Sequence, residues 1–246
     1  MVTAGSVVDQ NVFKKVQKFM MEHNYRIVPT SADGHEYLTE FGRPQPTKWD
    51  NKCFACVFLK AQELCQGVFL DRFPYTLSEL LPKFCEEASK DKFLNEFIEG
   101  ASIDMGVSEC LMRDLTKGAR ERNVDLSNWA LMEVEQQDAF RRALKKVVET
   151  FGKPDTEVTE TLMAMLVAFY RQPVVIISSS GQEPKDFVPP KLPVGSVPRF
   201  GDSPVTILMI HWEGYEGGRS HFDLVVELRI FPNLPIEHVE RCITDN

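Results

Sequence analysis

An α+β fold is predicted by three observations. Apolar residues recur at helical spacing through most of the chain up to Tyr170, β-branched and aromatic runs gather after Pro173, and two of those runs flank the Gly-rich connector Glu213-Gly214-Tyr215-Glu216-Gly217-Gly218-Arg219. The expected architecture is a small, mainly antiparallel sheet packed between a helix that begins at Cys53 and a helical lobe. A chain of 246 residues with 43% hydrophobic content can bury a substantial core, and it is read as one domain spanning 1–246.

Taken in order, Asn11 to His23 places Val12, Phe13, Val16, Phe19 and Met20 at helical spacing between Lys14, Lys15 and Lys18, which predicts an amphipathic helix on the domain surface. Residues 24–50 contain a short apolar piece, Tyr25 to Val28, and then polar sequence with glycine and proline. They read as a loop delivering the chain to a turn at Trp49-Asp50-Asn51-Lys52. From Cys53 to Gln66 the apolar residues Phe54, Val57, Phe58, Ala61, Leu64 and Cys65 cover neighbouring faces, as in a mostly buried helix.

Pro74 and Pro82 bracket Thr76 to Leu81, and helical patterns follow at Lys83–Gly100, Ser108–Arg122 and Leu131–Phe151, so 67–150 is expected to form a helical arm or lobe. Glu157 to Tyr170 predicts a further helix, followed by a buried strand at Pro173-Val174-Val175-Ile176-Ile177. Residues 178–204 hold six prolines and three glycines and read as a long surface loop. Val205–Trp212 and His221–Leu228 are strand-like runs joined by the Gly-rich connector, and the tail beyond Phe231 is irregular.

The net charge of −8 and pI of about 5.3 argue against nucleic acid as a partner, and the basic cluster Arg141 to Lys146 sits among acids as a solvated helix face. No run approaches the ~18 apolar residues of a membrane span, and Met1 to Gln10 lacks the marks of a signal peptide. A cytoplasmic location, or delivery into a host cytosol, is the expectation. Six scattered cysteines fit free thiols in a reducing compartment better than a disulfide framework.

Cys53 is expected in the first turn of its helix, where unpaired backbone N–H groups and the positive end of the dipole favour a thiolate. A nucleophilic thiolate needs an imidazole, and the imidazole needs an orienting group. His221 and Asp223 are two apart on a predicted strand, so they share a face, with Phe222 turned into the core. Each feature has a plainer reading beside this one. Cys53 alone also fits an ordinary buried cysteine, and a His-x-Asp on a strand is less specific still. Cys53-x-x-Cys56 also fits half a zinc site or a redox pair, although no second Cys/His pair at ligand spacing accompanies it. His23, His35 and His238 read as solvated, and His211 as structural or near the site. No metal or other cofactor is expected.

In their order, Asp50-Asn51-Lys52-Cys53-Phe54, the helix after it, the helix-to-strand unit Glu157 to Ile177, and Gly217-Gly218-Arg219-Ser220-His221-Phe222-Asp223-Leu224 resemble the OTU (ovarian tumour) family of cysteine peptidases, mostly deubiquitinases. The family's first signature is Asp-Gly-Asn/Asp-Cys-Leu/Phe and its last is His-Tyr/Phe-Asp/Asn before an apolar strand. The resemblance implies an OTU-like fold and a Cys-His-Asp triad, with Cys53 as nucleophile, His221 as general base and then acid, and Asp223 as orienting residue. It also implies that Asp50 shapes a turn through Asn51 and Lys52 whose N–H groups form an oxyanion hole. Two positions depart from the family pattern: Asn51 stands for its glycine, and Lys52 for its asparagine or aspartate. Lys52 adds positive charge beside the thiolate or is simply exposed.

The implied activity is hydrolysis of isopeptide bonds at the C-terminus of ubiquitin or a ubiquitin-like modifier, with ubiquitin or polyubiquitin as partner and no nucleic acid or membrane. An acidic enzyme suits a partner with a basic face. The lobe at 67–150 either contacts the modifier or completes the core, and Trp212 and Tyr215 are candidates for the walls of a substrate channel. The alternative function is a weak or inactive OTU-like module that binds ubiquitin or another protein.

Overall fold

The computed structural model of the chain describes residues 10–28, 30, 52–64, 76–101, 131–151, 153, 158–187, 199–200, 203–204, 206–212 and 221–227. Its helices are α1 (Gln10–Glu22), α2 (Cys53–Leu64), α3 (Leu77–Ala88), α4 (Asp91–Ala101), α5 (Val134–Phe151) and α6 (Glu160–Tyr170). The strands are β1 (Tyr25–Val28), β2 (Val174–Ser178), β3 (Lys185–Phe187), β4 (Arg199–Phe200), β5 (Ser203–Pro204), β6 (Ile207–Trp212) and β7 (His221–Glu227). Five of them form one sheet in the order β1-β7-β6-β2-β3, and β4 with β5 makes a separate ribbon. Every pairing in the main sheet is antiparallel except β2 with β6, which is parallel. The chain is thus α+β with a small mixed sheet, mainly antiparallel.

Two stretches expected to be loop are partly strand. Tyr25–Val28 pairs with β7 from Tyr25↔Glu227 to Val28↔Leu224. The run is only four residues long, too short for alternation to show, but Tyr, Ile and Val suit a pleated surface. Asn24, at φ 64°, makes the left-handed turn that brings α1 back against this strand. Within 178–204, β3 pairs with β2, and β4 pairs with β5. Lys185 Nζ also meets Glu160 Oε1 of α6 at 2.5 Å.

The helix boundaries follow capping more than proline. Thr76 caps α3, its Oγ1 accepting from Glu79 N at 3.3 Å, and Thr159 caps α6 in the same way through Leu162 N at 3.3 Å. Pro82 does not divide the segment as expected. It lies inside α3, and the break comes at Ser89, whose Oγ donates to Cys85 O at 2.6 Å. The basic cluster on α5 is tied to its neighbours: Arg141 donates to Asn95 Oδ1 at 2.8 Å and pairs with Asp138, while Lys145 meets Asp91 at 2.8 Å. The helix expected at 108–122, the end of the second helix at 65–66 and the tail beyond 231 lie outside the described residues.

The layering differs from the expectation of a sheet lying between the Cys53 helix and the lobe. Residues Cys53 to Gln62 of α2 are all buried, so this helix must be covered on every side. On one side Phe54 meets Phe222 of β7 edge-on, with ring centroids 5.3 Å apart. On another, Phe58 stacks on Tyr170 of α6 at 4.4 Å. Phe84 of α3 packs edge-on against Phe151 of α5 and Phe169 of α6, both at 5.5 Å, which ties the lobe together. The α2 helix is therefore the middle layer, between sheet and lobe.

The opposite sheet face is covered by α1, whose Met20 and Val16 pack on Ile27, Ile210, Trp212 and Val225. Phe19, expected on the buried stripe, is exposed and lies against His23, whose Nδ1 donates to Phe19 O at 2.8 Å. Among the described residues no helix is long and apolar enough to cross a membrane.

Candidate active site

The site is assembled by a helix start, a strand start and the end of β1. Cys53 is the first residue of α2, with Lys52 in a tight 3₁₀ turn just ahead of it. The first N–H groups of a helix have no intrahelical acceptor, so they are available to a bound carbonyl oxygen there. His221 opens β7, opposite Trp212 of β6, and Asp223 lies opposite Ile210. Alternation places these four on the face away from Phe222, which is buried against Phe54 as expected.

Asp223 is the hub of the site. Its Oδ1 accepts from His221 Nε2 at 2.9 Å and from the backbone N of Thr30 at 2.8 Å, and its Oδ2 accepts from Trp212 Nε1 at 2.8 Å. Thr30 Oγ1 donates to Phe222 O at 2.7 Å and lies 3.4 Å from Asp223 Oδ1. A buried carboxylate with this many donors is well satisfied and cannot turn away from the ring.

The Cys53 thiol is close enough to His221 to act on the charge state of its ring. Burial alone would push the His221 pKa down. The charge and hydrogen bond of Asp223, followed by those of Cys53, outweigh burial and raise it well above the ordinary histidine value. The site therefore favours an imidazolium held between a carboxylate and a sulfur. That is the charge state in which a thiolate is stabilised and a proton is ready for a leaving group. Cys53 is 8% exposed and the His221 side chain 19%, so what access there is lies on the histidine side.

The structure thus brings Cys53, His221 and Asp223 together. Trp212 belongs to the site in a different role from the one expected. It is wholly buried and donates to Asp223, so it cannot form the wall of a substrate channel. Lys52 is also not exposed: its side chain is wholly buried, with Nζ 4.6 Å from the centroid of the Phe151 ring. Asp50, Asn51 and Tyr215 lie outside the described residues. Thr30 was missed because it follows a strand read as loop, and the only local signal was the aromatic and β-branched run just before it.

Among the described residues, the other thiols and histidines lie elsewhere in the fold. Cys56 is buried beside Tyr170, close enough to raise that phenol's pKa together with burial, which is the larger cause. Among the described residues no three His, Cys, Asp or Glu side chains are grouped to hold a metal. His211 is on the face opposite His221, stacked on the Phe222 ring at 4.6 Å. The chain matches no family model and no curated protein.

Proposed function

We propose that the protein is a cysteine-type deubiquitinase of OTU-like fold, a thiol isopeptidase that hydrolyses the bond between the C-terminus of ubiquitin, or a ubiquitin-like modifier, and a lysine side chain. The observation that carries the chemistry is His221, held at Nε2 by Asp223 and near enough to the Cys53 thiol at a helix start for each to act on the other's charge. The substrate class comes from the resemblance of the ordered motifs around Cys53 and His221 to OTU peptidases.

In this reading the Cys53 thiolate attacks the carbonyl carbon after the modifier's C-terminal glycine, and the oxyanion that forms is met by N–H groups at the start of α2. The C–N bond then breaks as His221 gives its proton to the departing lysine nitrogen. A thioester remains on Cys53. The neutral imidazole next takes a proton from water, the hydroxide adds to the thioester carbonyl, and the C–S bond breaks to release the modifier's carboxylate. Asp223, held by Thr30 and Trp212, keeps the ring oriented throughout. A reducing cytosol, where a free thiolate survives, is the compartment this chemistry suits.

Ubiquitin carrying a C-terminal thiol-reactive group tests the reading. Wild type is expected to gain one ubiquitin in mass, and Cys53→Ala to gain none. A wild type that binds ubiquitin in a titration yet forms no adduct would instead identify a non-catalytic ubiquitin-binding module. Absence of both would remove ubiquitin as the substrate.

A further inference from the structure

Lys52 is buried directly ahead of the helix that carries Cys53. A buried ammonium loses its hydration, and one just ahead of a helix lies toward the positive end of that helix's dipole. Yet the whole side chain is buried between α2 and the helical lobe. Its Nζ lies 4.6 Å from the centroid of Phe151, the last residue of α5. Val148 to Phe151 form the last turn of α5. Cys85 of α3, whose Sγ donates to Val148 O in that same last turn at 3.5 Å, feels the ammonium too. Burial, the larger cause, raises the Cys85 pKa, and Lys52 opposes the rise.

We infer that Lys52 is a positioning residue for the nucleophile: its ammonium is seated on the Phe151 ring at the C-terminal end of α5 and ties the turn that presents Cys53 to the helical lobe. The placement exploits both halves of the side chain. The four-carbon stem is buried, and the charge finds a ring face that attracts cations. Cys53 follows Lys52 directly, so any rotation of the Lys52 backbone turns the Cys53 sulfur relative to the His221 ring. Lys52 does not touch the reacting atoms in this scheme and acts through the orientation of Cys53. A methionine of similar volume would fill the space without holding the charge.

This inference rests on the thiol hydrolase reading, and its test separates the two. Wild type, Lys52→Met and Lys52→Arg are compared for kcat and KM on ubiquitin bearing a C-terminal fluorophore. The rate at which iodoacetamide alkylates Cys53 is measured on the same samples by mass spectrometry, with thermal melting to confirm folding. Lys52→Met is expected to lose about tenfold to a hundredfold in kcat, the scale on which small misplacements of reacting groups act. KM should stay within about twofold, because uniform binding is untouched. Alkylation of Cys53 should slow as well, and Lys52→Arg, which keeps the cation, should recover part of both losses.

Unchanged kcat and unchanged alkylation in folded Lys52→Met would overturn the inference, as would a loss confined to KM. If wild type does not turn over the ubiquitin substrate, the proposed function fails and the alkylation rates alone decide the role of Lys52. Should Lys52→Met fail to fold, Phe151→Leu removes the ring face instead. It is expected to show the same fall in kcat and alkylation, and wild-type values in that variant would overturn the inference.

Discussion

Phe222, Leu224 and Val226 of β7 are buried among apolar side chains on the α2 face, whereas their neighbours His221 and Asp223 point the other way, His221 bonded to Asp223 and Asp223 to Trp212 and Thr30. The two sets alternate along one strand, yet they position the site by different physics. Apolar burial is non-directional and sets which elements meet. It presses α2 against the sheet through Phe54 and Phe222, and so delivers Cys53 to the neighbourhood of His221. Hydrogen bonds are directional and set how the groups face each other. A slip of β7 by one residue would exchange the two sets, so the same pairing that secures the core also secures the triad.

The comparison predicts that the two sets fail differently. His221→Ala should lower kcat by about a hundredfold to ten thousandfold, the range of general acid–base catalysis, while the melting temperature moves far less than in a core variant. Phe222→Ala should do the reverse, lowering stability by about 3–5 kcal/mol in urea titration and preserving the pH profile of whatever folded enzyme remains. Equal losses of activity per folded molecule in both variants would erase the distinction between the two sides of the strand.

Asp223→Asn sharpens it through pH. The folded-state pKa of His221 is raised, so the pair's contribution to stability is complete below the ordinary histidine value of about 6.5 and is lost as pH rises through the raised value. Urea titrations from neutral to alkaline pH should therefore show the gap between wild type and Asp223→Asn narrowing upward. The alkaline limb of kcat/KM should also move to lower pH in the variant, because the carboxylate that sustains the imidazolium is gone. A limb that stays in place would mean that Asp223 does not control the proton on His221.

The smallest effect is expected from Thr30→Val. It removes the Oγ1 bond to Phe222 O but keeps the backbone N–H on Asp223, so about 1 kcal/mol of stability should go, with kcat/KM reduced only severalfold. Melting curves and steady-state kinetics on one preparation would check both. A loss as large as that of Asp223→Asn would make the hydroxyl, and not the backbone N–H, the main restraint on the carboxylate.

Much of the architecture was legible because its signals are local. The alternation in His221-Phe222-Asp223 needs no partner strand to assign faces, and the apolar circumference of Phe54 to Ala61 announces a buried helix wherever it packs. The caps at Thr76 and Thr159 are also written within four residues, but apolar spacing alone points to starts at Lys83 and Glu157 and passes over them. Less was legible where elements are short or depend on a neighbour. Tyr25–Val28 is a strand because β7 offers it an edge, and Lys185–Phe187 because β2 does. Pro82 sits inside α3 although its pattern suggested a boundary.

The candidate site divides along the same line. Residue type and period two were enough to choose Cys53, His221 and Asp223 and to put the last two on one face. The environment of that trio was decided only by how distant segments dock. Thr30 reaches Asp223 across 193 positions of sequence, and Trp212 turns inward to the carboxylate instead of lining a channel. Lys52 runs into the lobe toward Phe151 instead of out to solvent. Burial, hydrogen-bond partners and the direction of a long side chain are properties of the space around a residue, and that space exists only once α1, α2, the sheet and the lobe have packed.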